Sequence, residues 1–131
     1  MRVQMSLSAL SQIILIKEKE DYLQKEGASI TYGYITGGAI KNIFKHDINQ
    51  IDWLHVKTCK LEVENAIIED KEFSTILNLE NSVLEKITEL QVFFKTYFGA
   101  KRIHRAFAVK LALKANYMEK NSINIFKEDY A

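Results

Sequence analysis

The chain of 131 residues has no proline, only one cysteine and a formal net charge of +1. The lone Cys59 excludes an intramolecular disulfide and argues against an extracellular disulfide framework, so a reducing cytoplasm is the expected location. A net charge so close to zero excludes a global field that would draw the whole molecule to nucleic acid or to a membrane. Any electrostatic partner must therefore recognise a local patch.

The sequence also has little that suits a membrane or secretion. The first apolar run, Ile13–Ile16, is followed directly by the charged residues 17–21 and is too short for a signal-peptide core or a membrane span. We expect no membrane contact. The length is typical of one domain spanning residues 1–131, with 121–131 as a loosely docked tail. Abundant lysine, isoleucine and asparagine without proline are typical of AT-rich coding sequence, as in low-GC bacteria, their phages and their plasmids.

The N-terminal third predicts one helix. Apolar residues at helical spacing favour a helix over 7–25, with Ser6 as its N-cap and Gly27 as its stop. Near the start, the apolar residues Val3, Met5 and Leu7 alternate with polar neighbours. This part could therefore begin a strand instead.

The middle of the chain is harder to interpret. Alternation over 29–35 predicts a short strand, followed by a tight turn at Gly37 and Gly38. A helix then follows, with Trp53 as its outer anchor and apolar positions that keep the i, i+3, i+4 spacing: Ile40, Ile43, Phe44, Ile48, Ile51 and Leu54. Segment 57–68 alternates again and fits either a half-buried strand or an extended helix.

The C-terminal half predicts two long helices. The first is capped by Asn81 and Ser82 and ends at Gly99. The second covers 101–119, where alanines favour helix over strand. The fold class is therefore mainly α, a compact bundle of four or five helices, or α+β if 29–35 and 57–68 pair. The predicted core consists of apolar residues from these helices: Leu10, Ile14, Ile40, Phe44, Ile51, Val83, Ile87, Leu90, Phe94, Ile103, Phe107 and Leu111.

The charge distribution is the most informative feature. Residues 90–118 contain no acid, whereas acids predominate between Glu62 and Glu89. Cations in the first turns of the last helix oppose its dipole, so they favour a receptor for phosphate or another anion. The predicted nucleic-acid or anion site comprises Lys95, Lys101, Arg102, His104, Arg105, Lys110 and Lys114. Alternatively, the cluster pairs with segment 62–89, or the helix runs straight through Gly99.

Aromatic residues directly precede these cations. Phe94 and Tyr97 fall on the buried stripe of the helix, which favours core packing over base stacking. Phe93 and Phe98 lie off that stripe and are candidates for a partner interface.

No sequence motif indicates a particular reaction, metal or cofactor. The nearest to a ligand set is His46, Asp47, Asp52, His55 and Cys59, which lacks paired spacings such as CxxC or HExxH. The stretch 35–43, with its glycine pair before a helix, resembles the start of a lid helix in AAA+ ATPases. No GxxxxGK[ST] phosphate loop accompanies it, so ATP hydrolysis is not implied. We expect neither enzyme activity nor a metal or cofactor.

Two functional hypotheses follow from the sequence. The first is a non-catalytic regulatory or accessory protein that binds the DNA or RNA backbone, or a nucleoprotein complex, through the basic helix. The second is a protein–protein interaction module, such as an inhibitor, immunity protein, adaptor or homo-oligomer subunit, that docks by its acidic and basic faces without contacting nucleic acid.

Overall fold

Five α-helices and a two-stranded sheet form the described chain, which is residues 1–128 of a computed structural model. The mainly α fold class is confirmed. Short 3₁₀ turns lie at Ile48–Gln50 and Glu62–Ala66. The regular elements are, in chain order, β1 (Arg2–Leu7), α1 (Ala9–Glu26), α2 (Tyr32–Ile43), α3 (Trp53–Thr58), β2 (Phe73–Asn78), α4 (Asn81–Tyr97) and α5 (Arg105–Lys120).

The sheet pairs β1 with β2 in antiparallel register, from Arg2 opposite Asn78 to Leu7 opposite Phe73. Every second residue of β1 is buried, as period-two alternation requires. The helix predicted to start at residue 7 is therefore wrong at its N-terminus, and the strand alternative is correct. The Ser8 hydroxyl caps α1 by accepting the Ser11 N–H at 3.1 Å, and Gly27 ends it at φ 69° as predicted.

Segment 29–35 is not a strand, because α2 begins within it. The Thr31 hydroxyl accepts the Tyr34 N–H at 3.1 Å and starts the helix. Gly37 and Gly38 lie inside α2 and form no turn. The first turn of α2 packs tightly on β2, because a Cβ at Gly33 would lie 2.5 Å from the Asn78 carbonyl oxygen.

Residues 44–68 contain neither the long helix nor the strand predicted there. After α2 ends, the chain folds through a 3₁₀ turn into the short helix α3, and segment 57–68 ends in the second 3₁₀ turn. Trp53 is fully buried, so it is not an outer anchor. Its indole Nε1–H donates to the Ile48 carbonyl at 3.0 Å, which satisfies the buried polar atom.

The α4 helix ends at Gly99, as predicted. Gly99 has φ 62°, and the Ala100 N–H donates to the Lys95 carbonyl at 3.0 Å, which is a Schellman ending. At the other end, Glu80 occupies the N-cap position, and its side chain does not cap the helix N–H groups, so the predicted caps Asn81 and Ser82 are wrong.

The core surrounds α5, which contacts β1 and each of the other four helices. Its buried residues include alanines, which permit close packing. Eight of the twelve predicted core residues are buried, whereas Leu10, Phe44, Ile103 and Phe107 are half-buried.

The chain after α5 returns to the start of α3. Ile125 is fully buried, and its carbonyl accepts the Asp52 N–H at 2.8 Å. Phe126 pairs with Ile51 in an isolated antiparallel bridge. These contacts are made by residues of the predicted tail, 121–131. Residues 129–131 of that tail lie outside the described residues.

Candidate functional site

Five of the seven predicted residues lie in the connection between α4 and α5 or in the helix ends beside it. We call the exposed side chains Lys95, Lys101, Arg102, His104 and Arg105 the basic corner. The α5 helix begins at Arg105 rather than at residue 101, because the chain leaves Gly99 in a non-helical path. Gln91 fixes that path, since its Nε2–H donates to the Ile103 carbonyl at 2.9 Å. Lys101 and Arg102 therefore precede the helix instead of lying in its first turn.

The start of α5 is open to solvent. The first helical hydrogen bonds run from the N–H groups of Phe107 and Ala108 to the His104 carbonyl, at 3.1 and 3.4 Å. The N–H groups of Arg105 and Ala106 come before this ladder, and His104 provides no side-chain cap. The first turn contains no acid. Helix dipole and side-chain cations thus give positive potential at the same place.

Neither alternative explanation of the charge cluster is realised within residues 1–128. The α4 helix stops at Gly99, so α5 has its own N-terminus. No side chain of the basic corner makes an ion pair in this part of the chain, whereas Lys41, Lys71 and Lys120 do. The acidic segment 62–89 therefore does not neutralise the corner by direct contact.

Lys114 does not lie on this surface. Only 7% of it is exposed, and its ammonium donates to the carbonyls of Lys57 and Cys59, where α3 ends. Burial lowers the pKa of Lys114, and the carboxylate of Glu64 partly opposes that shift. The charge of Lys114 therefore caps a helix C-terminus, and its predicted contact with an anion stays a prediction.

Lys110 also lies apart from the corner. It is half-buried and lines a groove of about 420 Å³ with Lys57, Lys60, Glu64 and Asp70. Lys114 lines the same groove, so four lysines lie there with two acids that partly neutralise them. Lys110 and Lys114 therefore lie outside the basic corner, which keeps the other five predicted residues.

Phe93 and Phe98 belong to an aromatic cluster that joins α3, α4 and α5. Phe93 stacks on Tyr97 with ring centroids 5.7 Å apart, and Phe98 meets Phe107 edge to face at 5.7 Å. Trp53 contacts Phe94 at 4.8 Å. Phe93 and Phe98 are half-buried, so each packs within the cluster and still exposes part of its ring. Their predicted role in a partner interface stays a prediction.

The residues nearest to a metal-ligand pattern have other partners. His46 Nε2 lies 2.9 Å from a carboxylate oxygen of Glu119, and Asp52 caps α3 by accepting the His55 N–H at 3.0 Å. Asp47 accepts the side chain and backbone N–H of Asn49, and these bonds lower its pKa. Over residues 1–128 no three His, Cys, Asp or Glu side chains form a metal-binding group. None of the helices in this range has the length and apolar character of a membrane span.

A cleft between α1, α2 and α5 was not predicted from the sequence. Its volume is about 480 Å³, and its walls include Tyr22, Tyr34 and Tyr117. Burial raises the pKa of the lining residue Glu18, which Lys120 partly offsets. No sequence signal could have found this cleft, because its residues come from three separated helices and share no spacing motif.

No protein-family model, curated protein or solved structure matches this chain.

Proposed function

We propose that this protein is a non-catalytic regulatory or accessory protein that binds the phosphate backbone of nucleic acid through the basic corner. The observation that carries the proposal is a group of exposed cations with no ion-pair partner in residues 1–128, beside an uncapped helix N-terminus. Arginine forks and free backbone N–H groups are suited to phosphate oxygens. Such contacts position a protein on DNA or RNA without reading bases.

Rigidity of the corner supports the same proposal. The Schellman ending at Gly99 and the hydrogen bond from Gln91 to Ile103 fix both ends of the connection. The ring contact between Phe98 and Phe107 packs beneath it. A fixed backbone reduces the ordering cost of binding, because fewer conformations are lost when phosphate is contacted.

The test is fluorescence anisotropy with a labelled duplex and a labelled single strand at low salt. The triple variant Lys101→Ala/Arg102→Ala/Arg105→Ala should bind at least about tenfold more weakly than the wild type. Its control, Lys17→Ala/Lys25→Ala/Lys45→Ala, removes the same charge from other exposed positions and should retain most of the affinity. Equal losses in both triples would show non-specific charge attraction and contradict the proposal.

A protein–protein interaction module is the second candidate, favoured by the loop between the second 3₁₀ turn and β2. Ile68 is 100% exposed there, and exposed acids follow it in the sequence, with Lys71 among them: Glu69, Asp70 and Glu72. An exposed apolar anchor within a charged rim is typical of a docking surface, and the acidic rim complements the basic corner of a second copy.

Sedimentation velocity over a range of protein concentrations tests this second candidate. Self-association through the loop should disappear in Ile68→Ser and persist in Leu54→Ser, where the substituted leucine is 55% exposed on α3. A strictly monomeric wild type that captures no partner from its source cell would count against an interaction module.

A further inference from the structure

The cleft between α1, α2 and α5 lies at the far end of α5 from the basic corner, about 22 Å along the helix axis. Its volume of about 480 Å³ is within the range of roughly 300–1,000 Å³ found for small-molecule sites. Side chains from three packed helices line it, so it exists before any ligand arrives. We propose that this cleft binds a small organic amine in its protonated form, independently of the basic corner.

Two carboxylates provide the charge that an ammonium needs. The side chain of Glu18 is only 12% exposed, and its one ion-pair partner within residues 1–128 is Lys120 at 3.4 Å. Asp21 lies one turn further along α1 and makes no ion pair within residues 1–128. Both carboxylates act on Tyr117, whose pKa is raised first by burial and then by Asp21 and Glu18. Glu18 and Asp21 on α1 therefore lie close enough to the Tyr117 side chain on α5 to act on it across the cleft.

Two lysines also line the cleft, and neither blocks a cationic ligand. Lys25 is exposed in the last turn of α1, and the side chain of Lys120 is 53% exposed. Each ammonium is held on a flexible four-carbon chain that solvent can readily accommodate. An incoming ammonium can thus replace Lys120 beside Glu18, while the carboxylates stay with the packed helices.

Tyrosine rings make the cleft suited to an organic cation rather than to a bare metal ion. Tyr22 and Tyr34 meet at 6.3 Å with an interplanar angle of 63°, and Tyr34 is 63% exposed. Ring faces attract ammonium groups and also pack against hydrocarbon. No group of three metal-ligating side chains forms in the described part of the chain, which favours the amine.

Gly38 leaves room for the body of the ligand. It is exposed one turn after Tyr34 on the cleft side of α2, and a Cβ built there meets no atom within 4 Å. Packing within the chain therefore does not require glycine at this position, although glycine weakens a helix interior relative to alanine. A ligand lying against the α2 backbone would use this space.

The experiment compares three probes with one carbon framework: 2-phenylethylamine, 2-phenylethanol and phenylacetate. Backbone amide shifts are followed by NMR as each probe is added to the full chain. The amine should give saturable shifts at Tyr34, Gly38 and Asn121, and it should bind at least about tenfold more tightly than the neutral alcohol or the acid. Equal binding of the three probes, tighter binding of phenylacetate, or no saturable binding of the amine would overturn the proposal.

Substitutions separate the cleft from general surface charge. Gly38→Leu fills the cleft from an unobstructed position and should weaken amine binding at least about tenfold. Asp21→Asn should weaken it severalfold, whereas Glu20→Gln, which removes an equally exposed carboxylate that does not line the cleft, should not. Thermal unfolding checks that each variant is folded. If the Gly38→Leu protein does not fold, Asp21→Asn alone tests the proposal. Undiminished binding by Asp21→Asn, or by a folded Gly38→Leu protein, would overturn the proposal. Nucleic-acid binding of the same variants should be unchanged. A failure of the amine proposal can therefore be distinguished from a failure of the proposed nucleic-acid binding at the basic corner.

Discussion

At the scale of single residues, the protein uses lysine in two opposite ways. Lys101 is exposed and unpaired within residues 1–128, whereas Lys114, in the same acid-free stretch, is buried and donates to two carbonyls. The buried ammonium satisfies acceptors that α3 leaves free where it ends. The same residue type therefore supports the fold at one position and a candidate binding surface at the other.

Replacing Lys114 with methionine should destabilise the protein by about 1–3 kcal/mol, because the carbonyls of Lys57 and Cys59 lose their donor. Lys110→Met is the matched control, one turn earlier on the same helix, and should change stability by no more than about 0.5 kcal/mol. Urea unfolding measures both. Similar stability of the two variants would show that Lys114 does not cap α3.

The pH dependence of stability should reveal Glu18. Because burial raises its pKa above the ordinary value of 4.5, the folded state binds this proton more tightly than the unfolded state does. The resulting stabilisation is fully present below pH 4.5 and is lost as the pH rises through the raised value. The unfolding free energy of the wild type should therefore fall relative to that of Glu18→Gln from acidic to neutral pH.

Chemical denaturation at several pH values measures this difference. Glu20→Gln, at an exposed position on the same helix, is the matched control for the loss of one carboxylate. A constant difference between wild type and Glu18→Gln would contradict the proposed burial effect.

At the scale of secondary-structure elements, the contact between α2 and β2 depends on Gly33. A Cβ there would meet the Asn78 carbonyl oxygen at 2.5 Å and its nitrogen at 2.9 Å. Gly33→Ala should therefore destabilise the protein by about 1–3 kcal/mol through overpacking. Gly38→Ala, on the same helix, meets no atom within 4 Å and should stabilise it by up to about 1 kcal/mol. Opposite shifts in the denaturation midpoint are expected, and equal shifts would contradict the close approach.

The elements that could be predicted from sequence are those governed by local signals. The apolar stripe of α4 and the glycines that end α1 and α4 act through nearby residues, so their positions were predicted. Over 29–35, the alternation pattern favours a strand, whereas the Thr31 cap and the buried stripe of α2 favour a helix. The structure has the helix. Pairing of β1 with β2 joins segments about 70 residues apart, and no local pattern specifies that partner.

The candidate site was predictable in part for the same reason. The acid-free stretch of sequence identified the exposed cations of the corner, because charge composition is visible residue by residue. Burial of Lys114 depends on where α3 ends, which is a tertiary relationship. The cleft requires three helices to pack, so Glu18, Gly38 and Tyr117 are brought together only in the fold.

At the scale of the whole molecule, α5 connects the two candidate sites. Its N-terminus lies at the basic corner, its middle forms the centre of the core, and its C-terminal turn borders the cleft. A near-zero net charge means that binding to a polyanion depends on this local arrangement rather than on the charge of the whole protein.

The salt dependence of nucleic-acid binding tests the central claim most directly. If Lys101, Arg102 and Arg105 each neutralise one phosphate of a duplex, they should contribute about −2.7 to the slope of log K against log salt concentration. That contribution should be lost in Lys101→Ala/Arg102→Ala/Arg105→Ala, which keeps Lys95 and His104, whereas the slope should stay near the wild-type value in Lys17→Ala/Lys25→Ala/Lys45→Ala. No detectable binding of the wild type at low salt, or an unchanged slope in the first triple variant, would contradict binding through the basic corner.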